Sequence, residues 1–424
     1  MKKYANLTNA SIESAGLPKD YKHAIAEYIW NGFDARARQI DIRYEKNELG
    51  YLTALRIEDD GEGIDFRTLD RSFGNFLDSM KRTTLKRSSY TRGRKGKGRF
   101  SFSLFSTRAT WNTRYREGDT VFEYDIIIDR HQKESYEESY RITAPQQQTG
   151  TSVLLEGIFG LQAYALESKD FLDFLALEFG WFLLLNKDQG YQLNINGQAL
   201  PYDHLILENE TVRWNVTTAP DTSERFKVTF IRWKETIGDR YYYYFLNTHQ
   251  EEVAKELTSF NNNGIDFHHS VFVESAFFNT FETEPLVFDE QENLFSGLRQ
   301  HIVFKKLSAE LRALLERKQK KYVREHVVEE MIAQIQRKQL LPKYEEKESD
   351  YLRKQQLINL LKELCISEPK LFTNMKPDYL KAYLGLIDLL LQTDKRVEVL
   401  SIIDHTLHLD ETEKSNILRL LTNT

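Results

Sequence analysis

Residues 26–37 read AEYIWNGFDARA. Ile25, Ile29 and Phe33 recur at helical spacing with Trp30 beside them, which predicts an amphipathic helix over residues 20–38. Glu27, Asn31 and Asp34 fall at i, i+4 and i+7, a second stripe on the same helix. A carboxylate and an amide one turn apart can hold a divalent cation and a water together. An ordinary exposed polar face has the same pattern, so this helix alone does not fix the chemistry.

Three downstream segments add to it. RIEDDGEGID (residues 56–65) ends a strand-like run in Asp59, Gly61 and Gly63. Glycines there let the backbone approach a flat ligand, and the aspartate can accept a hydrogen bond from an exocyclic amine. TRGRKGKGRFSFSLFS (residues 91–106) places Gly93, Gly96 and Gly98 ahead of what reads as a helix start, where free N–H groups suit phosphates. QQTGTSVLLEG (residues 147–157) brings Gly150 and Thr151 into a strand, with a hydroxyl able to reach a bound base. Taken singly, an acidic glycine turn is most often only a turn, and a glycine-rich loop only a surface loop.

Charge argues against the plain loop. The chain of 424 residues has a formal net charge of −6, yet nine basic residues and no acid lie between Lys81 and Arg99. Such a run repels itself unless it meets an anion, either nucleotide phosphates or a nucleic-acid backbone.

These four pieces, in this order, resemble the ATP-binding fold of the GHKL superfamily, shared by gyrase, the heat-shock chaperone of that class, histidine kinases and MutL. Glu-x-x-x-Asn-x-x-Asp-Ala matches Glu27, Asn31, Asp34 and Ala35. Asp-x-Gly-x-Gly matches Asp59, Gly61 and Gly63; Gly-x-x-Gly-x-Gly matches Gly93, Gly96 and Gly98; Gly-Thr before a strand matches Gly150 and Thr151. The resemblance implies ATP and Mg2+ as cofactors. It makes Glu27 the catalytic base or water-orienting carboxylate and Asn31 the magnesium ligand. Asp59 would hold the adenine amine, with Thr151 helping through a water. Gly93, Gly96, Lys97 and Gly98 would form a lid over the phosphates, Ser79 and Lys81 its other anchor, and Asp34 a brace of the helix. Histidine kinases of this superfamily typically lack the acid at Glu27 and need a phosphoacceptor helix upstream, so that subclass is disfavoured.

The remaining texture predicts an α+β chain in three parts. Residues 1–188 would be the GHKL (Bergerat) α/β sandwich. Residues 189–296, strand-rich from YQLNING onward, look like the α/β transducer domain of MutL, gyrase and MORC ATPases, which supplies a lysine to the γ-phosphate; Lys234 is the candidate. Residues 297–424 would be a helical arm, ended by Pro342, and a small helical bundle. His268 and His269 point to opposite faces of a strand and read as structural rather than metal-binding. Proteins of this layout typically close as ATP-dependent homodimers. The first expectation is a clamp on DNA in genome maintenance or defence against phage; the alternative is a chaperone-like or signalling module whose helical region, 297–424, binds a protein. The single cysteine, Cys365, excludes an internal disulfide. No apolar run approaches 18 residues and the N-terminus lacks a signal-peptide core, so a cytoplasmic location is expected.

Overall fold

The computed structural model describes residues 2–4, 18, 20–69, 98–219, 222–237, 240–250, 252–258, 260–261, 265–281, 301–393, 398, 401, 404–405, 409 and 411–422. The chain divides into two compact units, Met1–Glu256 with His269–Gln300, and Leu257–His268 with His301–Thr424. Each is described by itself.

The first unit starts with β1 (Lys2–Tyr4) and α1 (Tyr21–Asp34). Asp20 caps α1, accepting from the His23 N–H at 3.0 Å. Strands β2 (Gln39–Lys46), β3 (Leu52–Asp59), β4 (Ser106–Glu117), β5 (Thr120–Asp129), β6 (Ser135–Glu138), β7 (Ile142–Thr143), β8 (Gly150–Ile158), β9 (Gln192–Ile195) and β10 (Gln198–Ala199) join β1 in one sheet. Its order is β1-β6-β5-β4-β8-β3-β2-β9-β10, with β7 on β5, and every pairing is antiparallel except β2 with β9. The parallel strand arrives after the helices α2 (Ala163–Glu167) and α3 (Lys169–Leu185). YQLNING therefore belongs to the first sheet, and the textural break at 188/189 falls before a strand that is still paired within it.

Aromatic packing holds α1 to α3. Trp30 lies 4.8 Å from Phe179 and 5.6 Å from Phe182, and Phe33 lies 4.8 Å from Phe182, all between ring centroids. The Trp30 indole N–H donates to Glu178 Oε1 at 2.8 Å.

The second sheet contains β11 (Ile206–Ala219), β12 (Thr222–Trp233), β13 (Tyr242–Leu246), β14 (Glu252–Leu257) and β15 (His269–Glu274), in the order β11-β12-β15-β13-β14. Phe226, Val228 and Phe230 are buried on one face, where Phe226 meets Phe277 and Phe278. On the other face Phe272 stacks on Tyr244 at 5.0 Å and on Trp181 of α3 at 4.9 Å, while Trp181 lies 6.1 Å from Trp30.

The second unit is helical: α4 (Ile302–Tyr322), a π turn (Val323–Val327), α5 (Val328–Arg337), α6 (Glu348–Ser367), α7 (Lys370–Thr373), α8 (Pro377–Leu390) and α9 (Glu411–Thr422). Pro342 does not end the first run. Gln339 adopts φ +53 and the Leu340 N–H reaches back to Ile335 O at 3.1 Å, a self-terminating left-handed cap. Residues 257–268 belong to this unit, with Phe267 5.3 Å from Tyr322 and the Tyr322 hydroxyl donating to Asp266 O. Lys320 of α4 pairs with the buried Glu413 of α9 at 2.8 Å. No described helix is long and apolar enough to cross a membrane.

Trp30→Ala empties a ring-sized volume between α1 and α3 and strips Glu178 of its donor. The expected result is a lowered unfolding midpoint for the first unit in calorimetry, equivalent to roughly 3–5 kcal/mol.

Candidate nucleotide site

The site grows from the way α1 meets its neighbours. Ala24, Ile25, Ile29 and Phe33 are buried, Glu27 is half-buried, and Asn31 and Asp34 are exposed, so the polar stripe read from the sequence faces out of the core. Gly98 lies directly against it. A methyl group at Gly98 would stand 2.7 Å from Glu27 Oε2, 3.4 Å from Glu27 Cβ and 3.6 Å from Asn31 Nδ2. The last glycine of the basic loop is thus a neighbour of both residues expected to do the chemistry.

Tyr28, buried and one residue beyond Glu27, fixes that approach. Its hydroxyl donates to Arg99 O and accepts from the Phe102 N–H, each at 3.2 Å. Burial pushes the phenol well above its usual range. The segment it grips, Gly98–Leu104, is a 3-10 run rather than the α-helix start expected from sequence. Phe100 and Phe102 are both buried, which draws this short run into the core.

Asp59 closes β3 at the other end of the site. Gly32 of α1 lets it come close: a methyl at Gly32 would be 3.1 Å from Asp59 Cβ. Asp59 Oδ1 accepts from the Gly61 N–H at 2.9 Å, and the Glu62 N–H donates to Ala35 O at 2.8 Å, tying the turn to the end of α1. Gly63 has φ +74, and a methyl there would lie 2.1 Å from Arg114 O; Gly150 has φ +148, and a methyl there would lie 2.2 Å from Asp59 O. Only glycine fits either position. Asp59 faces Thr151 across the β3–β8 ladder, and Thr151 faces Thr113 across β8–β4. Burial raises the Asp59 carboxyl to about 6, against the opposing pull of the Gly61 and Thr151 N–H groups. Asp60 has a different task, accepting from the Arg38 and Gln39 N–H groups at 2.7 and 2.9 Å.

The structure therefore gathers Glu27, Asn31 and Gly98 at one place, and Asp59, Gly61, Gly63, Gly150 and Thr151 at another, with α1 common to both. Asp34 sits exposed on the last turn of α1. Ser79, Lys81, Gly93, Gly96 and Lys97 lie outside the described residues. Lys234 follows β12 with its side chain exposed and its N–H donating to Leu205 O at 2.9 Å; among the described residues, its side chain makes no hydrogen bond or ion pair to the Glu27 group. Tyr28, Gly32 and Thr113 were not singled out in the sequence. An aromatic, a small residue and a hydroxyl at those positions match ordinary core and strand positions.

Residues 20–156 match the family described as histidine kinase-, DNA gyrase B- and HSP90-like ATPase. The chain carries a GHKL ATPase domain. Among solved structures, the ATPase region of Saccharomyces cerevisiae topoisomerase II is similar, with 12% identity and a TM-score of 0.36 over 69% of this chain and 85% of that one. The same region bound to ICRF-187 (dexrazoxane) gives 11% identity and a TM-score of 0.33, over 68% and 85% of the two chains. No curated protein matches the sequence.

Gly98→Ala tests the first cluster. The added methyl meets the mobile end of Glu27, so the fold of the GHKL domain should persist while the carboxylate is pushed aside. ATP turnover should fall at least tenfold while ATP affinity stays within a few fold, read by steady-state kinetics and calorimetric titration.

The Asp59 carboxyl tests the second. Its folded value of about 6 lies above the ordinary 3.8, so the folded protein retains a proton that the unfolded chain has lost between those pH values. The charged group thus costs stability above pH 6, and the cost disappears as pH falls toward 4. Nucleotide binding has the opposite sense, because only the carboxylate accepts from an amine. ATP affinity should drop as pH falls through about 6, and Asp59→Asn should bind weakly with no inflection there.

Proposed function

We propose that the protein is a magnesium-dependent ATPase whose nucleotide-driven closure and dimerisation act as a conformational clamp, nearest in layout to MORC and MutL proteins. The observation that carries the reading is the approach of Gly98 to Glu27 and Asn31. A half-buried carboxylate, an exposed amide and a backbone that can come within touching distance suit a water, a hard cation and a phosphate respectively. Magnesium held through the Asn31 amide oxygen would neutralise phosphate charge. Glu27 accepts the proton of the attacking water as its oxygen bonds the terminal phosphorus and the bridging oxygen leaves with ADP. Asp59 and Thr151 hold the base. Lys234 remains the candidate for a second cation at the γ-phosphate.

DNA is the partner we favour for the clamp, supported by the β11–β12 ribbon. Thr211, Arg213, Asn215 and Thr217 pair with Thr229, Lys227, Arg225 and Ser223, so these eight side chains share one face. None is acidic, and Arg213, Asn215, Thr217, Ser223 and Arg225 are exposed. Lys227 is paired with Glu274 at 3.0 Å, while Glu210 and Glu224 lie on the opposite face. Glu274 already neutralises Lys227, so the open positive charge of this face is carried by Arg213 and Arg225. Guanidinium, hydroxyl and amide groups are what phosphate oxygens accept from, and a two-stranded ribbon fits a DNA groove.

A protein partner is the second reading, favoured by α8, where Tyr379, Leu386 and Leu389 are 67, 56 and 62% exposed.

Glu27→Ala should abolish turnover, retain ATP binding and accumulate an ATP-dependent dimer in size-exclusion chromatography. Arg213→Glu with Arg225→Glu should weaken duplex binding at least tenfold and flatten its salt dependence, with basal ATPase unchanged. Duplex affinity that survives the double variant sinks the ribbon as the contact; absence of turnover in the wild type sinks the ATPase.

A further inference from the structure

We propose that Thr113 is a positioning residue that fixes the hydrogen-bond direction at the base site and so selects adenine over guanine nucleotides. The proposal deepens the ATP reading above and rests on it.

Thr113 lies on β4 at 0% exposure. Its Oγ1 accepts from the Ile64 N–H at 2.8 Å and lies 3.1 Å from Thr151 Oγ1. A threonine hydroxyl has one proton to give and two lone pairs to receive with. The Ile64 N–H occupies one lone pair, and a buried O–H that finds no acceptor is costly. Among the described residues, Thr151 Oγ1 is the oxygen in reach, so Thr113 donates to it. Thr151 then spends a lone pair on Thr113 and keeps its own proton to offer elsewhere.

Residue 64 is itself held in place. Tyr124 donates its hydroxyl to Ile64 O at 2.9 Å, and Gly63 seats the preceding residue on the backbone of Arg114. The order of donors therefore runs from the Ile64 N–H to Thr113 and on to Thr151, while the Tyr124 bond to the Ile64 carbonyl only holds residue 64 in position. It leaves a donor, the Thr151 O–H, beside an acceptor, the Asp59 carboxylate, at paired positions of β8 and β3.

Adenine presents an exocyclic amine next to a bare ring nitrogen, a donor beside an acceptor. Guanine presents the reverse at the same edge, a carbonyl beside a protonated ring nitrogen. The pair Asp59 and Thr151 complements the first pattern and opposes the second when Thr151 meets the ring nitrogen directly. With valine at 113, Thr151 has no hydroxyl behind it to accept from, so its own hydroxyl is free to rotate and to accept as well as donate, and the discrimination would fade. Thr113 touches no nucleotide in this arrangement; it acts through Thr151.

The experiment compares wild type, Thr113→Val and Thr113→Ser for binding of ATP and GTP with magnesium, together with kcat at saturating ATP and thermal melts to verify folding. The expected result is that Thr113→Val reduces the ATP-over-GTP affinity ratio by about tenfold, as loss of one directed hydrogen bond predicts. Thr113→Ser should keep the ratio, and kcat should stay within about twofold in both. An unchanged ratio in a folded Thr113→Val overturns the proposal while leaving the ATP reading intact. Equal weakening of ATP and GTP in both variants also overturns it, since that is what a merely structural threonine would do. A wild type that binds no ATP overturns the reading of the site and this proposal together.

Discussion

The end of β3 has almost no free space around it, and the site follows from that constraint. Asp59 is approached by Gly32 from α1, by Gly61 from its own turn and by Gly150 from β8, and a methyl group at any of the three would stand within 3.1 Å of an Asp59 atom. Because backbone and helix can come so near, one carboxylate is withdrawn from water with no ion pair to a cation among the described residues, and its affinity for a proton rises. A looser packing would return Asp59 to water and leave an ordinary surface acid. Close approach thus sets both the packing around Asp59 and the charge behaviour of its carboxyl.

The same economy of space operates at the other end of α1. Gly98 leaves room for Glu27, and Tyr28 pins the backbone beyond it through two hydrogen bonds. Residues 27 and 28 point to different sides of the helix, one toward chemistry and one toward anchoring, so a single turn of α1 serves both.

Most of the GHKL domain was legible in the sequence because its signals are local. The stripe of Glu27, Asn31 and Asp34, the glycines flanking Asp59, and the Gly150-Thr151 entry into a strand depend on residues a few positions apart. What was not legible depends on distant partners. The parallel pairing of β9 with β2 joins positions about 150 apart, and no periodicity near residue 192 announces it. Residues 257–268 read as part of a strand-rich region, yet Phe267 is held by Tyr322 of the helical unit. The run after Gly98 has the glycine-then-apolar pattern of a helix start, but burial of Phe100 and Phe102 and the grip of Tyr28 select a tighter 3-10 path. Pro342 was the obvious stop for the first long helix, and the left-handed Gln339 ends it sooner.

The rings between the two sheets of the first unit form an unbroken series: Trp30 on α1, Trp181 on α3, Phe272 on β15 and Tyr244 on β13. Close-packed aromatic planes are nearly incompressible, so a series of this kind behaves like a strut. Glu178 and Trp181 stand one turn apart on α3, the first hydrogen-bonded to Trp30 and the second stacked on Phe272. A tilt of the helix that carries Glu27 would press, through these rings, on the sheet beyond.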